Sequence, residues 1–331
     1  MKNAGWLFLA ILIAYGCAVV APLLRYRLRG RVGAFVGWCF VPIILVCPLL
    51  IPSANVGLRA ASVFALCDTT SKMVEYFRHW DNVERSIVLR DYYRFLIPFP
   101  VFSSVYPDHK RRLLRPESPW PQVLRLFGGI VGITIALEAI RALSRIALVR
   151  SSFALNHAVM LLTFVLAVES LSRALCGLER LAGFDTTPII RNAYLSRTVS
   201  EFWRRYNYRM HDFLYRNVFQ ATGGRRAPVR SMLLVFLVSG LFHEVTFALA
   251  TSRLTGYQFA FFTIQGPAAL ASGRLERLAR RGGIAGKITA HGATILFVAV
   301  TSVLFFDGVS KIFPFFYASQ SPLPYAFTGR W

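Results

Sequence analysis

The chain contains 331 residues, of which 55% are hydrophobic, and its mean hydropathy is +0.48. Soluble globular proteins carry about 45–50% apolar residues even when glycine is counted. The excess here is gathered in blocks of roughly twenty residues, the length that a helix needs to cross the hydrocarbon layer of a membrane. This composition excludes an ordinary soluble domain and predicts an all-α, polytopic integral membrane protein.

The formal net charge is +22, from 38 basic and 16 acidic residues. In a soluble protein such a charge would suggest nucleic-acid binding. Here the basic residues lie mainly between the apolar blocks, as is typical of cytoplasmic loops of membrane proteins, so no nucleic-acid partner is expected. The five cysteines form no Cys-x-x-Cys pair and lie mostly in apolar blocks, which predicts neither disulfides nor a metal site.

The apolar blocks predict eight membrane spans in chain order. The first is too long for the apolar region of a typical signal peptide and is followed by RYRLRGR, not by a cleavage site. The third contains four charged residues, so we expect it to be tilted or re-entrant against protein. A ninth, partial segment is predicted in 309–327. The eight spans are 6–24, 33–51, 57–77, 122–149, 152–172, 229–251, 257–272 and 288–306.

Two long loops, 78–121 and 173–228, are the only places outside the spans for chemistry. Both are rich in arginine and aromatic residues, which suits amphipathic helices at the membrane interface. The chain shows no internal repeat, so the repeat pattern of a secondary transporter is missing. We therefore expect a single membrane-embedded domain over 1–331, with eight to nine membrane helices.

One histidine lies near the middle of an otherwise apolar span. His243 is followed by Glu244, and Ser239 and Thr246 lie about one helical turn before and after it. Ionisable residues at membrane depth are candidates for function, and histidine suits general base catalysis because its pKa is near neutrality. A buried histidine can also simply bond to another helix. Other ionisable residues in or near spans are Glu138, His157, Glu169 and His291.

The segment 199–219, VSEFWRRYNYRMHDFLYRNVF, combines aromatic residues with arginines. As a helix it would place the aromatic residues on one broad side and most charges around the rest. An interfacial amphipathic helix with snorkelling arginines explains that pattern. It does not explain Asn207 and His211, a polar pair spaced i, i+4 among the aromatics.

The motifs in this half of the chain resemble those of the membrane-bound O-acyltransferase family, and length and span number are most similar to its wax-synthase-like branch. The run FWRRYN, 202–207, resembles the family's Phe-Trp-x-x-Trp-Asn/His motif, and MHDFLYRNVF resembles its continuation. The span with SGLFHE places His243 at the family's essential histidine, and FFTIQGPAALASGRLE resembles an aromatic-Gln-Gly segment. The resemblance covers 196–276. Tyr206 stands where the family has tryptophan, and the glycine that wax synthases often carry after Phe-Trp is missing.

The resemblance implies a bundle of helices that encloses a reaction chamber. It implies transfer of an acyl group from acyl-CoA, a co-substrate, to the hydroxyl of a lipid-like or small-molecule acceptor, with membrane lipids as the surroundings. His243 is the expected general base and Asn207 the second catalytic residue. No metal or other cofactor is expected. The expected substrate-binding residues are Trp203, Arg204, Arg205, Tyr206, Arg209, His211, Arg216, Ser239 and Gln265.

Two other classes of function remain open at this point. A transporter or flippase of a lipid-linked substrate would use the same charged residues as a pathway, and it predicts paired broken helices. A non-catalytic membrane scaffold predicts that His243 and Asn207 are replaceable. Intramembrane prenyl transfer would require aspartate-rich clusters that hold Mg²⁺ against diphosphate, and the sequence has none.

We predict that the N-terminus lies outside and that 173–228 faces the cytoplasm, which in a bacterium would place the protein in the inner membrane. With this orientation the cytoplasmic segments 25–31, 78–121, 173–230 and 273–287 contain 28 of the 38 basic residues. Cysteines introduced singly at Arg180 or Gly223, in a variant without the native cysteines, should be labelled only after the membrane is permeabilised. Labelling from the outer face of intact cells would reverse the orientation.

Overall fold

The computed structural model describes residues 2–28, 30–79, 118–183 and 186–313, together with Leu89, Tyr92, Tyr93 and Leu96. This part of the chain is almost entirely helical and contains no β-sheet. Short 3₁₀ turns and one π-helical turn, Tyr215–Phe219, connect the longer helices. The α-helices are α1 (Lys2–Leu28), α2 (Gly30–Val46), α3 (Val56–His79), α4 (Trp120–Leu143), α5 (Ala147–Ser151), α6 (Phe153–Leu181), α7 (Val199–Tyr206), α8 (Tyr208–Leu214), α9 (Pro228–Thr251), α10 (Tyr257–Arg281) and α11 (Gly283–Ile312).

Six helical segments in the described part are long and apolar enough to cross a membrane. They confirm the all-α, polytopic membrane fold and six of the eight predicted spans. α3 and α10 form where spans were predicted, but they carry too many polar residues to be counted among these six. The predicted block 122–149 ends early, because the chain turns at Ser144 before the short α5. The six are Gly5–Leu28, Gly30–Leu50, Trp120–Leu143, Phe153–Leu181, Pro228–Thr251 and Gly283–Ile312.

The remaining predictions on spans have mixed outcomes. α3 places its charges inside protein, as expected, since each of the four is at most 3% exposed; they are Arg59, Asp68, Lys72 and Glu75. Lys72 pairs with Asp68 at 2.8 Å, one helical turn apart. The partial ninth segment falls mostly outside the described residues, and α11 continues without a break to Ile312.

The chain divides into two compact units, and α9 contributes to both. The first unit contains α1, α2 and α3 with the last part of α9 and the turn after it, residues 243–255. The second contains α4 to α8, the first part of α9, and α10 and α11. The prediction of one functional domain over 1–331 stays a prediction.

In the first unit, small residues occupy buried positions on α1 and at the start of α2. Ala10, Ala14, Ala18 and Ala21 recur every three or four residues along α1 and are completely buried. In the first turn of α2, close to the end of α1, a methyl group at Gly33 would lie 2.6 Å from the Arg25 carbonyl oxygen. Small side chains allow such close approach, and in a membrane this packing replaces the hydrophobic driving force between helices.

In the second unit, α4 and α6 pack at similarly close range. A methyl group in place of the Gly129 hydrogen would lie 2.6 Å from the Ser170 carbonyl oxygen and from the Ala174 nitrogen. One turn of α6 further on, a methyl group at Gly177 would lie 2.7 Å from the Gln122 carbonyl oxygen. The two helix backbones are therefore in direct contact. This contact holds α6 in place, and the loop after α6 packs against it.

The loop between α6 and α7 is bonded to α6 and α11 along its length. The Ile190 amide donates to the Ser172 hydroxyl oxygen at 2.9 Å, and the Arg180 side chain donates to the Thr186 carbonyl at 2.9 Å. At the end of the loop, His291 of α11 bonds to the Ser196 carbonyl at 2.9 Å. These contacts satisfy backbone groups that would otherwise be buried without partners, and they set the point at which α7 begins.

Candidate active site

The FWRRYN motif occupies α7 and the break that follows it. α7 begins with a Thr-x-x-Glu sequence, in which the Thr198 hydroxyl accepts a hydrogen bond from the Glu201 amide at 3.1 Å. It ends at Asn207, whose φ of −142° and ψ of 80° are not helical. The Asn207 side-chain oxygen accepts from the Met210 amide at 3.1 Å and so caps α8. The motif asparagine therefore divides one amphipathic segment into two short helices.

A buried ion pair anchors α8 to α6. Arg209 makes a two-fold bond to the Glu179 carboxylate, with distances of 2.8 and 2.6 Å, and also donates to the Thr187 carbonyl at 2.9 Å. Both side chains are at most 8% exposed. We expected Arg209 to bind substrate, but its guanidinium is occupied by protein acceptors inside the second unit. A helical pattern shows that an arginine lies on a polar face, but it does not show that an acid thirty residues upstream meets it there.

Trp203 and Gln265, both expected at the site, are bonded to each other. The Trp203 indole N–H donates to the Gln265 side-chain oxygen at 3.2 Å, and the Gln265 amide donates to the Thr301 hydroxyl oxygen at 2.9 Å. Thr301 in turn donates to the Phe297 carbonyl at 2.8 Å. The three side chains therefore form a continuous series of hydrogen bonds. Gln265 is completely buried. Thr301 was not among the predicted residues, because a threonine in an apolar span carries no signal of its own.

An aromatic cluster surrounds Trp203. Its ring lies edge-on to Phe236 and Phe261, with centroids 5.9 Å away in both cases, and 5.2 Å from Phe262. Tyr206 stacks on Phe202 one turn away. Desolvation in this cluster raises the pKa of Tyr206 to about 12, so its hydroxyl stays protonated at neutral pH. The cluster forms an apolar surface with few polar atoms.

The other predicted cationic residues lie nearer to solvent. Arg204 is exposed. Arg205 is paired with Glu201 at 2.6 Å on the same helix, and Arg216 is paired with Asp212. These pairs join neighbouring turns of one helix, where an exposed pair contributes only a few tenths of a kcal/mol.

His211 lies half-buried in α8. Burial lowers its pKa, the neighbouring Asp212 opposes that effect, and Arg204 adds to it. At neutral pH the imidazole is therefore mainly uncharged, with a nitrogen available to accept a proton.

His243 is half-buried on α9, in the part of that helix that belongs to the first unit. The next residue, Glu244, is buried and accepts a hydrogen bond from the Thr255 amide at 2.9 Å, which closes the turn after α9. Arg59 of α3 bonds to the Ser252 hydroxyl in the same turn. The end of the histidine-bearing helix is thus fixed within its unit. Asn207 belongs to the second unit, and the expected chamber that both residues line stays a prediction.

Three of the four other ionisable residues named in or near spans have defined partners. His157 bonds to the Ala299 carbonyl at 2.9 Å and to Ser302 at 3.1 Å, which joins α6 to α11. His291 holds the loop before α7, as described above. Glu138 pairs with Arg141 at 2.6 Å. Ser239, expected near substrate, is buried in the part of α9 that belongs to the second unit.

Part of the chain is similar to known proteins. Residues 138–283 match the model of the membrane-bound O-acyltransferase family. The match runs from the end of α4 to the first residue of α11 and contains every predicted site residue. A curated relative, described as "Probable alginate O-acetylase AlgI" from Pseudomonas syringae pv. tomato (strain ATCC BAA-871 / DC3000), is 32% identical over 71 residues. That alignment covers 20% of this chain and 14% of the relative. Both findings support membership of the membrane-bound O-acyltransferase family for the part of the chain that contains the motifs.

Proposed function

We propose that the protein transfers an acyl group from acyl-CoA to the hydroxyl of an acceptor at the membrane, with His243 as the general base. The observation that carries this proposal is that the family match contains the whole of the FWRRYN segment, the histidine-bearing helix α9 and Gln265. The match contains three histidines, His157, His211 and His243. The motif resemblance favours His243 as the base, and His157 bonds to a carbonyl and a hydroxyl of another helix.

In the proposed reaction an imidazole nitrogen of His243 takes the hydroxyl proton as the acceptor oxygen attacks the thioester carbonyl carbon. The carbonyl oxygen becomes a transient oxyanion. Its collapse breaks the carbon–sulfur bond, and the leaving thiolate of CoA receives the proton from the imidazolium. General base catalysis of this kind contributes about 10²–10⁴-fold to the rate.

Asn207 is the proposed donor to the oxyanion. Its side-chain oxygen is occupied by the Met210 amide, so the orientation of the carboxamide is fixed and its NH₂ end is the part left to donate. A pre-oriented donor requires little reorganisation when charge develops in the transition state, and one such donor contributes about 10²–10³-fold. The cap therefore serves the proposed chemistry by holding the donor in place.

The proposed donor site has a polar and an apolar part. Arg204 is exposed on α7 and is the leading candidate to contact the phosphates of CoA, with Arg205 next to it. The aromatic cluster around Trp203 offers an apolar surface for the acyl chain. Its rings are packed against one another, and the Trp203–Gln265–Thr301 bonds keep the indole in one orientation.

The acceptor has two candidates. The length of the chain and its series of spans are similar to wax synthases, which favours a long-chain alcohol. The identity to the alginate O-acetylase favours transfer of an acetyl group to a carbohydrate hydroxyl. Incubation of the purified protein with a panel of acyl-CoAs and membrane extract, read by CoA release and mass spectrometry, separates them. A transporter or scaffold would release no CoA at all.

We predict that His243→Gln lowers turnover by about 10²–10⁴-fold while the protein still inserts and folds. Glutamine keeps the size and hydrogen bonding of the side chain but takes no proton near neutral pH. His157→Gln is the matched control, because it changes a histidine that joins two helices. It should alter the amount of folded protein, measured by size-exclusion chromatography, and not the turnover per folded molecule. A His243→Gln variant with most of its activity would move the base elsewhere, with His211 as the next candidate.

The two roles of Asn207 can be separated by Asn207→Asp. Aspartate caps a helix as well as asparagine does, so the melting temperature should change little. It has no N–H to donate, so kcat should fall about 10²–10³-fold. Asn207→Ala removes both roles and should lower stability as well, by about 1 kcal/mol. Full activity in the aspartate variant would show that Asn207 is a helix cap and nothing more.

The arginines of the segment should fall into two groups. Arg204→Gln combined with Arg205→Gln should raise the KM for acyl-CoA several-fold, with a smaller difference at high salt, because charge-assisted contacts to phosphate are screened. Arg209→Met should instead lower the yield and stability of the protein, since removing one partner of a buried ion pair costs about 3–5 kcal/mol. An unchanged KM in the double variant would contradict the phosphate assignment.

A further inference from the structure

The turn between α10 and α11 carries a basic cluster that the proposed chemistry does not use. Residues 273–287 contain five basic side chains and one acid. The acid, Glu276, is paired with Arg280 one turn away on the exposed surface of α10. The other four basic residues give the turn a surplus of positive charge; they are Arg274, Arg277, Arg281 and Lys287.

Three of these cations share one face of α10. Arg274, Arg277 and Arg281 are spaced i, i+3 and i+7, and each is exposed. The first turns of α11 pack tightly against this region, because any side chain at Gly286 would overlap the Leu278 carbonyl oxygen. Lys287, the next residue, is therefore held beside the end of α10. Helix packing therefore determines where the basic side chains lie.

Apolar side chains are exposed among the same cations. Leu278 is 42% exposed, and Ile284 and Ile288 on the first turns of α11 are 78% and 66% exposed. Each of these would be costly to leave in water. α11 is itself one of the helices apolar and long enough to cross a membrane, and it begins at Gly283. The turn therefore lies where a membrane span starts, and it carries both exposed arginines and exposed apolar side chains.

We infer that residues 274–288, which comprise the end of α10, the turn and the start of α11, are a binding site for the headgroups of anionic phospholipids. A phosphodiester accepts two parallel hydrogen bonds from a guanidinium, and three arginines on one helical face offer several such donors. The exposed leucine and isoleucines contact the acyl chains of the same lipids. Basic clusters next to a membrane span attract anionic lipids in this way. The inference is independent of the acyl-transfer reaction.

Purified full-length protein in mixed micelles, titrated with phosphatidylglycerol and read by native mass spectrometry, tests this site. The wild-type chain should retain phosphatidylglycerol in preference to phosphatidylcholine. The variant with Arg274→Gln, Arg277→Gln and Arg281→Gln should bind phosphatidylglycerol at least tenfold more weakly, given the usual contribution of each cation near an anionic membrane surface. Arg141→Gln, Arg145→Gln and Arg150→Gln remove the same charge from exposed sites elsewhere and should leave the affinity unchanged.

Three outcomes would overturn the inference. Equal weakening in the two triple variants would mean that net charge alone attracts the lipid. Displacement of the lipid by millimolar glycerol 3-phosphate would identify a free phosphate compound as the ligand. Unchanged lipid binding together with a raised KM for acyl-CoA in the α10 variant would assign the cluster to the donor substrate. None of these readouts for the lipid requires enzymatic activity, so failure of the proposed reaction leaves the test valid.

Discussion

The ion pair between Glu179 and Arg209 determines where the motif helices lie. Burying a guanidinium and a carboxylate costs several kcal/mol for each ion, and the cost is recovered only with good geometry and further hydrogen bonds. Here the pair has two parallel bonds, and the Thr187 carbonyl accepts a third. This arrangement is possible only if α8 lies against the end of α6 with the intervening loop folded between them. The positions of Trp203 and Asn207 follow from that constraint.

The same need to satisfy buried polar groups explains the loop and the histidines in the second unit. A carbonyl oxygen can only accept, so His157 donates to Ala299 and His291 donates to Ser196. Each imidazole is a donor that ties two elements together. One residue type thus has a structural use at two positions and a proposed catalytic use at a third, His243. The presence of a histidine in a span is therefore not by itself a sign of catalysis.

α10 shows how a helix can be too polar for lipid and still belong inside a membrane protein. Three polar residues spaced seven apart, Gln258, Gln265 and Ser272, are buried along one face. Gln258 donates to the Phe305 carbonyl of α11 at 2.9 Å, and Ser272 accepts from the Ser200 amide of α7 at 3.0 Å. This polar seam joins α10 to both neighbours. The prediction of a helix over 257–272 was therefore right. The sequence did not show that its polar face is buried against α7 and α11.

The sequence by itself determined the helical membrane class, because apolar blocks of membrane length have few other folded forms. It also identified 199–219 and His243 as exceptional, since polar and ionisable groups are costly near hydrocarbon. Tertiary structure alone decided which of these groups are structural. Arg204 and Arg209 are five residues apart in similar sequence surroundings, yet one is exposed and the other is paired with Glu179. Partners such as Glu179 and Thr301 lie thirty or more residues away along the chain, where helical periodicity carries no information about contact.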